Sequence, residues 1–380
     1  MANEKMDVLD YEKGMVFLGD DSRIQNCMLK AKKGEQVKLA FLGGSITQGC
    51  LSSTPETCYA YLTYQWWKEQ FPKAAFTYIN AGIGGTTSHL GVGRVQEDVL
   101  SYDPDFVIVE FSVNDPDEDA HFQETYEGLI RQILSWKSHP ALLLVHNVRY
   151  DDGGNAETIH RPVGAHYGLP SVSVKPVIYR AVSEGWITAR EVTQDDLHPN
   201  DLGHAMVAKT ITTYLEKVKE RTDSLKEEPV IHSELPAPMT VNGYENARRL
   251  RNDALMPLEQ KGFVKDETPQ FCVADCFKKG FRAENAGDKI SFEVSGASIA
   301  VQYRKTVRRP APVARLILDG DHEHSVELDG NFTEEWGDCL YLKTVMEHGT
   351  SGKHLVEIEI VESPEDRKED FYLVSLIVAD

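Results

Sequence analysis

Apolar and polar positions alternate in two different rhythms along this chain, and the change of rhythm falls near residue 221. Before it, short continuous apolar runs (Val37 to Leu42, Phe76 to Ile79, Phe106 to Phe111, Ala141 to His146) alternate with helix-period segments. Those segments are Asp21 to Lys32, Tyr59 to Phe71, Glu118 to Trp136, and a last one carrying Leu202, Ala205, Met206, Ile211, Tyr214, Leu215 and Val218. Runs apolar on both faces and separated by amphipathic helices predict an α/β domain with a parallel sheet and crossover helices. The aromatics Tyr61, Tyr64, Trp66 and Trp67 are read as the buried face of one such helix. The stretch from Arg149 to Pro170 is expected to contain a loop on the active face.

Beyond Arg221 the helical period stops. Residues 224–240 carry Pro229, Pro236 and Pro238 among mixed charges, which predicts a semi-extended linker. Short strand-like segments follow: Phe271 to Phe277, Lys289 to Val294, Ser298 to Arg304, Ala314 to Leu318, Cys339 to Met346, His354 to Val361 and Phe371 to Ala379. Gly and Asp turns separate several of them, as at Asp319-Gly320-Asp321, and this spacing predicts a β-sandwich. The domains expected are therefore 1–223, a linker 224–240, and a sandwich 241–380.

Charge and composition narrow the function. Sixty acidic against forty basic residues give a formal charge of −20 over 380 residues. That balance argues against nucleic acid and anionic membrane as partners, since both need a basic surface. No apolar stretch is long enough to span a bilayer, and Met1-Ala2-Asn3-Glu4-Lys5 lacks a basic-then-apolar leader pattern, so a cytoplasmic location is expected. The six cysteines are few for the length and have no framework spacing, which suits a reducing compartment. Cys272 and Cys276 are not spaced as a usual zinc pair and the histidines are scattered, so neither metal nor cofactor is expected. Oligomeric state stays open, a homo-oligomer included.

Four polar blocks sit at the end of an apolar run or at the start of a helix. Gly43-Gly44-Ser45-Ile46-Thr47 follows the first run and reads either as a plain turn or as a serine held on a sharp strand-to-helix turn. Asn80 to Ser88 contains Gly82, Gly84 and Gly85, whose backbone lets an N–H approach a reacting oxyanion. Ser112-Val113-Asn114-Asp115 places the Asn114 amide at a strand's carboxyl end, where open α/β sheets bind ligands. Asp195-Asp196-Leu197-His198 precedes the last helix and offers a general base with a carboxylate three residues earlier.

In this order the four blocks resemble the signature blocks of the SGNH, or GDSL, hydrolase superfamily over about the first three fifths of the chain. The resemblance implies a three-layer α/β/α, flavodoxin-like domain. It implies Ser45 as nucleophile, His198 as base and Asp195, rather than Asp196, as its orienting acid. Gly85 and Asn114 would be oxyanion donors beside the Ser45 N–H. Two positions depart from the usual pattern: Gly44 stands where the family carries Asp, and Ser112 where it carries Gly. The second half resembles the jelly-roll carbohydrate-binding modules attached to glycan-active enzymes. Trp336, in the polar loop Asn331 to Asp338, is a candidate ring for stacking sugar. The basic run Arg304 to Pro310 is read as a solvated loop. The whole arrangement resembles two-domain bacterial carbohydrate acetylesterases, most closely gut-bacterial acetyl-mannan esterases. It implies an acetylated oligosaccharide as substrate, with mannan favoured and xylan or xyloglucan as alternatives. A lipid or small-ester esterase and a non-catalytic glycan-binding protein are the competing readings.

Overall fold

Strands β2 (Val37–Gly43), β3 (Phe76–Gly82), β4 (Phe106–Glu110), β5 (Ala141–His146) and β6 (Ser171–Ser173) form the parallel part of one sheet. With the antiparallel edge strand β1 (Met15–Phe17), its order is β1-β6-β5-β4-β2-β3 in the computed structural model, which describes residues 6–231 and 234–380. Every residue of β4 and β5 is buried. The period of two explains why both faces must be apolar. Leu39, Phe41, Ile108, Leu143 and Val145 join one core with the helices Ser22–Lys32, Tyr59–Gln70 and Asp201–Asp223, while their neighbours in sequence point to the opposite face. On that other side the helices Ser88–Asp98, Ala120–Leu134 and Glu157–His166 pack in succession. This is the expected three-layer α/β/α domain.

Trp67, fully buried, packs on Phe71, Phe76 and Phe106, and Trp66 is buried beside it, so this aromatic group is core. Tyr61 and Tyr64 are half-buried against it. The stretch 149–170 is a loop only as far as Ala156; the helix Glu157–His166 occupies most of the rest, with Pro162 inside it. Among the described residues no helix is long and apolar enough to cross a membrane.

The chain divides into two units, Met1–Asn242 and Gly243–Asp380. The proline-containing stretch 224–240 falls in the first, and side chains of the first unit hold it there. The Glu127 carboxylate accepts the N–H groups of Met239 (2.7 Å) and Thr240 (2.8 Å) and the Thr240 hydroxyl. Arg131 donates to the Pro236 carbonyl (3.0 Å), and the His166 ring bonds the Ala237 carbonyl (2.7 Å). Prolines leave such a segment with unpaired carbonyls, and these cationic and imidazole donors satisfy them.

The second unit is all antiparallel. One sheet runs β15 (Cys339–Met346), β12 (Ser298–Lys305), β17 (Phe371–Ala379), β10 (Phe281–Ala283) and β9 (Val264–Lys265), with β7 (Arg248–Leu250) also on β17; the other runs β14 (Val326–Asp329), β13 (Val313–Leu318), β16 (Gly352–Glu362), β11 (Lys289–Gly296) and β8 (Glu259–Lys261). Side chains from both sheets, among them Phe292, Val301, Leu316, Ile358 and Leu376, share one buried core, so this unit is a β-sandwich. One expected strand is absent. Phe271 to Phe277 is irregular, with Phe271 exposed and the Gln270 amide donating to the carbonyls of Cys272 and Val273. Those local bonds replace a ladder, and the sheet is continued instead by Val264–Lys265 and Phe281–Ala283.

Candidate active site

Register brings three of the four polar blocks to one level. In the parallel ladder Gly43 of β2 lies opposite Gly82 of β3 and Glu110 of β4, so Ser45, Gly84-Gly85 and Ser112 to Asn114 leave the sheet at the same edge. Close approach there demands glycine. A Cβ on Gly82 would stand 2.2 Å from the Gln48 backbone N, and one on Gly84 would stand 3.2 Å from Gln48 Oε1. Gly85 has φ +68°, the left-handed region that favours glycine.

Ser45 opens the short helix Ser45–Gln48, so its N–H belongs to the first-turn donors that have no intrahelical acceptor. Several groups fix this turn. The Gly84 N–H donates to Gln48 Oε1 (2.7 Å), Asn80 Nδ2 to the Thr47 carbonyl (2.8 Å), and Thr47 Oγ1 bonds the Tyr59 hydroxyl (2.7 Å). Arg94, wholly buried, donates to the Gly43 carbonyl (3.1 Å) and pairs with Asp98 (3.2 Å). A buried guanidinium beneath the serine turn was not legible in the sequence, because nothing in the spacing of Arg94 separates it from a surface arginine.

The fourth block arrives from the far end of the domain. His198 Nε2 lies 2.8 Å from Ser45 Oγ, and its Nδ1 lies 2.7 Å from Asp195 Oδ2. The other carboxylate oxygen, Asp195 Oδ1, accepts the N–H groups of His198 (2.8 Å) and Leu197 (3.1 Å) and the Thr193 hydroxyl (3.2 Å). Asp196 turns the other way. Its φ is +64°, its carboxylate pairs with Arg190, and its carbonyl accepts the Tyr150 N–H (2.6 Å). The structure thus joins Ser45, His198 and Asp195 in one chain of hydrogen bonds and leaves Asp196 outside it.

Electrostatics follow from these contacts. Burial alone would push the His198 imidazole down, but the Cys50 sulfur and the Asp195 carboxylate outweigh it and push it up to about 9. Burial opposes ionisation of Asp195 as well, yet His198 and the two N–H donors hold its carboxyl below the usual range. Cys50 was missed from sequence; it enters because the helix Ser45–Gln48 ends at Gly49 and the Cys50 N–H turns back to the Ser45 carbonyl (2.9 Å).

Asn114 sits on the turn after β4. Its Oδ1 is buried without a hydrogen-bond partner, and a Cβ on Gly44 would stand 2.4 Å from that oxygen. Gly44, one of the two departures from the usual pattern, is therefore the residue this packing requires. The other departure is also accommodated. Ser112 Oγ donates to Glu110 Oε1 (2.8 Å) and to the Asn147 carbonyl (3.1 Å), in a fully buried pocket where burial pushes the Glu110 carboxyl up to about 7 against the pull of those bonds. In the second unit, Trp336 is 54% exposed, its ring edge-on to Phe332 and its indole N–H bonded to Glu334 Oε2 (2.6 Å).

A serine oxygen within reach of an imidazole that is itself oriented by a carboxylate can attack an acyl carbon while passing its proton to the ring. Comparison with known proteins gives this chemistry a family. The GDSL-like lipase/acylhydrolase family profile matches residues 41–206, which spans all four blocks. A solved two-domain esterase (CEX) active on acetylated mannans is similar over the whole chain, at 51% identity, with a TM-score of 0.93, covering 98% of this chain and 99% of that one. The same kind of esterase co-crystallised with mannopentaose is similar at 51% identity and a TM-score of 0.92, covering 98% of each chain. No curated protein sequence matches.

Proposed function

We propose, from the premise that this chain belongs to the GDSL-like lipase/acylhydrolase family and is a serine ester hydrolase, that it removes O-acetyl groups from mannan-type oligosaccharides. The observation that carries the chemistry is the Ser45–His198–Asp195 relay, with bonds of 2.8 and 2.7 Å. The sugar class rests on the 51% identical esterase active on acetylated mannans.

In this reading Ser45 Oγ attacks the acetyl carbonyl carbon while its proton passes to His198 Nε2. The oxyanion that forms is held by the N–H groups of Ser45 and Gly85 and by the Asn114 amide. Removing one such donor costs on the order of 2.7–4 kcal/mol of transition-state stabilisation. The tetrahedral intermediate collapses by breaking the bond to the sugar oxygen, which takes the proton from His198. Water then attacks the acetyl-Ser45 ester, giving its proton to His198. The second collapse releases acetate and returns that proton to Ser45 Oγ. Asp195 holds the imidazole in the tautomer both halves require. Trp336 is assigned to stacking a sugar ring, on the strength of its exposure in a polar loop beside Glu334.

Mass spectrometry of acetylated manno-oligosaccharides after incubation with the enzyme tests the reading, with xylan and xyloglucan fragments and long-chain acyl esters alongside. Loss of acetyl groups from the manno-oligosaccharides, abolished in Ser45→Ala, is the expected result. Faster turnover of long-chain esters would replace the substrate class by a lipid, and residual turnover in Ser45→Ala would remove Ser45 from the mechanism.

A further inference from the structure

Asp115 follows Asn114 directly and has no part in the relay, yet its side chain is completely buried. Both carboxylate oxygens are used. Oδ1 accepts the backbone N–H of Ser88 (2.8 Å), and Oδ2 lies 2.9 Å from His160 Nε2. Ser88 begins the helix Ser88–Asp98, three residues beyond Gly85, and the N-cap residue Thr87 makes no side-chain capping bond. Asp115 therefore caps, from another loop, the helix into which the Gly85 loop runs. A carboxylate at a helix N-terminus is favoured both as hydrogen-bond acceptor and by the helix dipole.

The far side of this contact is equally restrained. His160 stacks flat on Tyr126, with ring centroids 3.7 Å apart and planes at 8°. Its helix starts from Ala156, whose N–H donates to the Ser112 carbonyl (2.7 Å), so His160 is tied back to the turn that carries Asn114. Within that turn the N–H groups of Asn114 and Asp115 both donate to the Phe111 carbonyl (3.1 Å each). Asp115 thus spans the two loops on which Gly85 and Asn114 sit, and its anchor is a ring that the stack does not let rotate.

We propose that Asp115, braced by His160, is the positioning residue that sets the spacing between the Gly85 N–H and the Asn114 amide. It acts through those donors and touches no substrate atom. The inference rests on the acyl-transfer reading above, in which they hold the oxyanion. A small displacement of a preorganised group costs on the order of a hundred-fold in rate, so the brace has a kinetic signature that a merely structural bond lacks.

The test uses the full chain, with active sites counted by an organophosphate serine reagent so that misfolded protein is left out of every rate. Per titrated site, Asp115→Asn is expected to lower kcat on an aryl acetate by about ten- to a hundred-fold with KM little changed. The inhibition constant for methylboronic acid, which forms a tetrahedral adduct on the serine, is expected to rise by a similar factor. Combined with Asn114→Ala, Asp115→Asn is expected to add less than its full separate loss, because one of the two donors whose spacing it sets is already gone. An unchanged kcat per titrated site, or a loss that multiplies in full with that of Asn114→Ala, would overturn the proposal. Full activity of Asn114→Ala alone would instead remove Asn114 from the oxyanion site, which is a failure of the underlying reading and is seen before Asp115 is altered.

Discussion

At the scale of single residues, the two adjacent aspartates have opposite assignments. Asp195 orients His198, so Asp195→Asn is expected to lower kcat by on the order of 10⁴-fold, as loss of the correct imidazole tautomer does. Asp196→Asn keeps a side chain suited to positive φ and loses only a partly exposed pair with Arg190, so its kcat is expected to stay within about two-fold of the parent. Steady-state kinetics on both folded variants decides this, and the reverse order would exchange the roles. The raised His198 pKa sets the pH dependence. The base must be neutral to accept the serine proton, so kcat/KM on an uncharged ester is expected to climb with pH and level off above about 9. Removing the Asp195 carboxylate withdraws one of the groups that raise the pKa, and the limb of the residual activity is expected to move to lower pH. The same shift bears on stability. The folded-state pKa lies above the unfolded value, so the contribution is full below about 6.5 and is lost as pH rises through about 9.

At the scale of elements, the serine turn is built around the absence of a side chain at position 44. Gly44→Asp would restore the residue usual in the family, but its Cβ alone would lie 2.4 Å from Asn114 Oδ1. The turn or the amide must then move, and kcat on an aryl acetate is expected to fall by about ten-fold or more with the protein still folded. Unchanged kinetics would mean that the Asn114 loop yields freely and that its spacing is not critical. The glycine was visible from the sequence as a departure. Its reason was not, because Asn114 is seventy positions away in the chain and meets Gly44 only through the ladder that aligns β2 with β4.

At the scale of the whole molecule, the stretch 224–240 belongs energetically to the first unit. Glu127, held ionised by Thr240, Tyr167 and the Met239 and Thr240 N–H groups in spite of burial, is its main anchor. A chain ending after Asn242 is therefore expected to melt several degrees above one ending after Asp223, since losing the segment removes the Met239 and Thr240 donors to the Glu127 carboxylate and the carbonyl acceptors of Arg131 and His166. Equal melting temperatures would show the segment to be a passive tether. Trp336 is tested by substrate size. Trp336→Ala is expected to lower kcat/KM on acetylated oligosaccharides by roughly ten-fold while barely affecting a small aryl acetate, because a stacked ring contributes only where there is a sugar to stack. Equal losses on both substrates would point to a folding defect in the sandwich.

The alternation of apolar runs and amphipathic helices, and its replacement by short strands after residue 221, depends on local periodicity alone. The α/β domain, the sandwich and most of their strands were therefore readable from sequence. So were Ser45, Asn114, Asp195 and His198 as candidates, since each stands in a polar block at the end of an apolar run or at the start of an amphipathic helix. Phe271 to Phe277 was misread because apolar composition does not reveal that Gln270 supplies the local bonds that displace a ladder. Arg94 under the serine turn, Cys50 beside His198, and the Asp115–His160 brace were invisible. Each is defined by a partner between 45 and 148 positions away, and periodicity carries no information about which distant groups share a buried, low-dielectric space. That choice is made when the sheet aligns the strand ends and the helices close over them, because only then must each buried donor and acceptor find its partner.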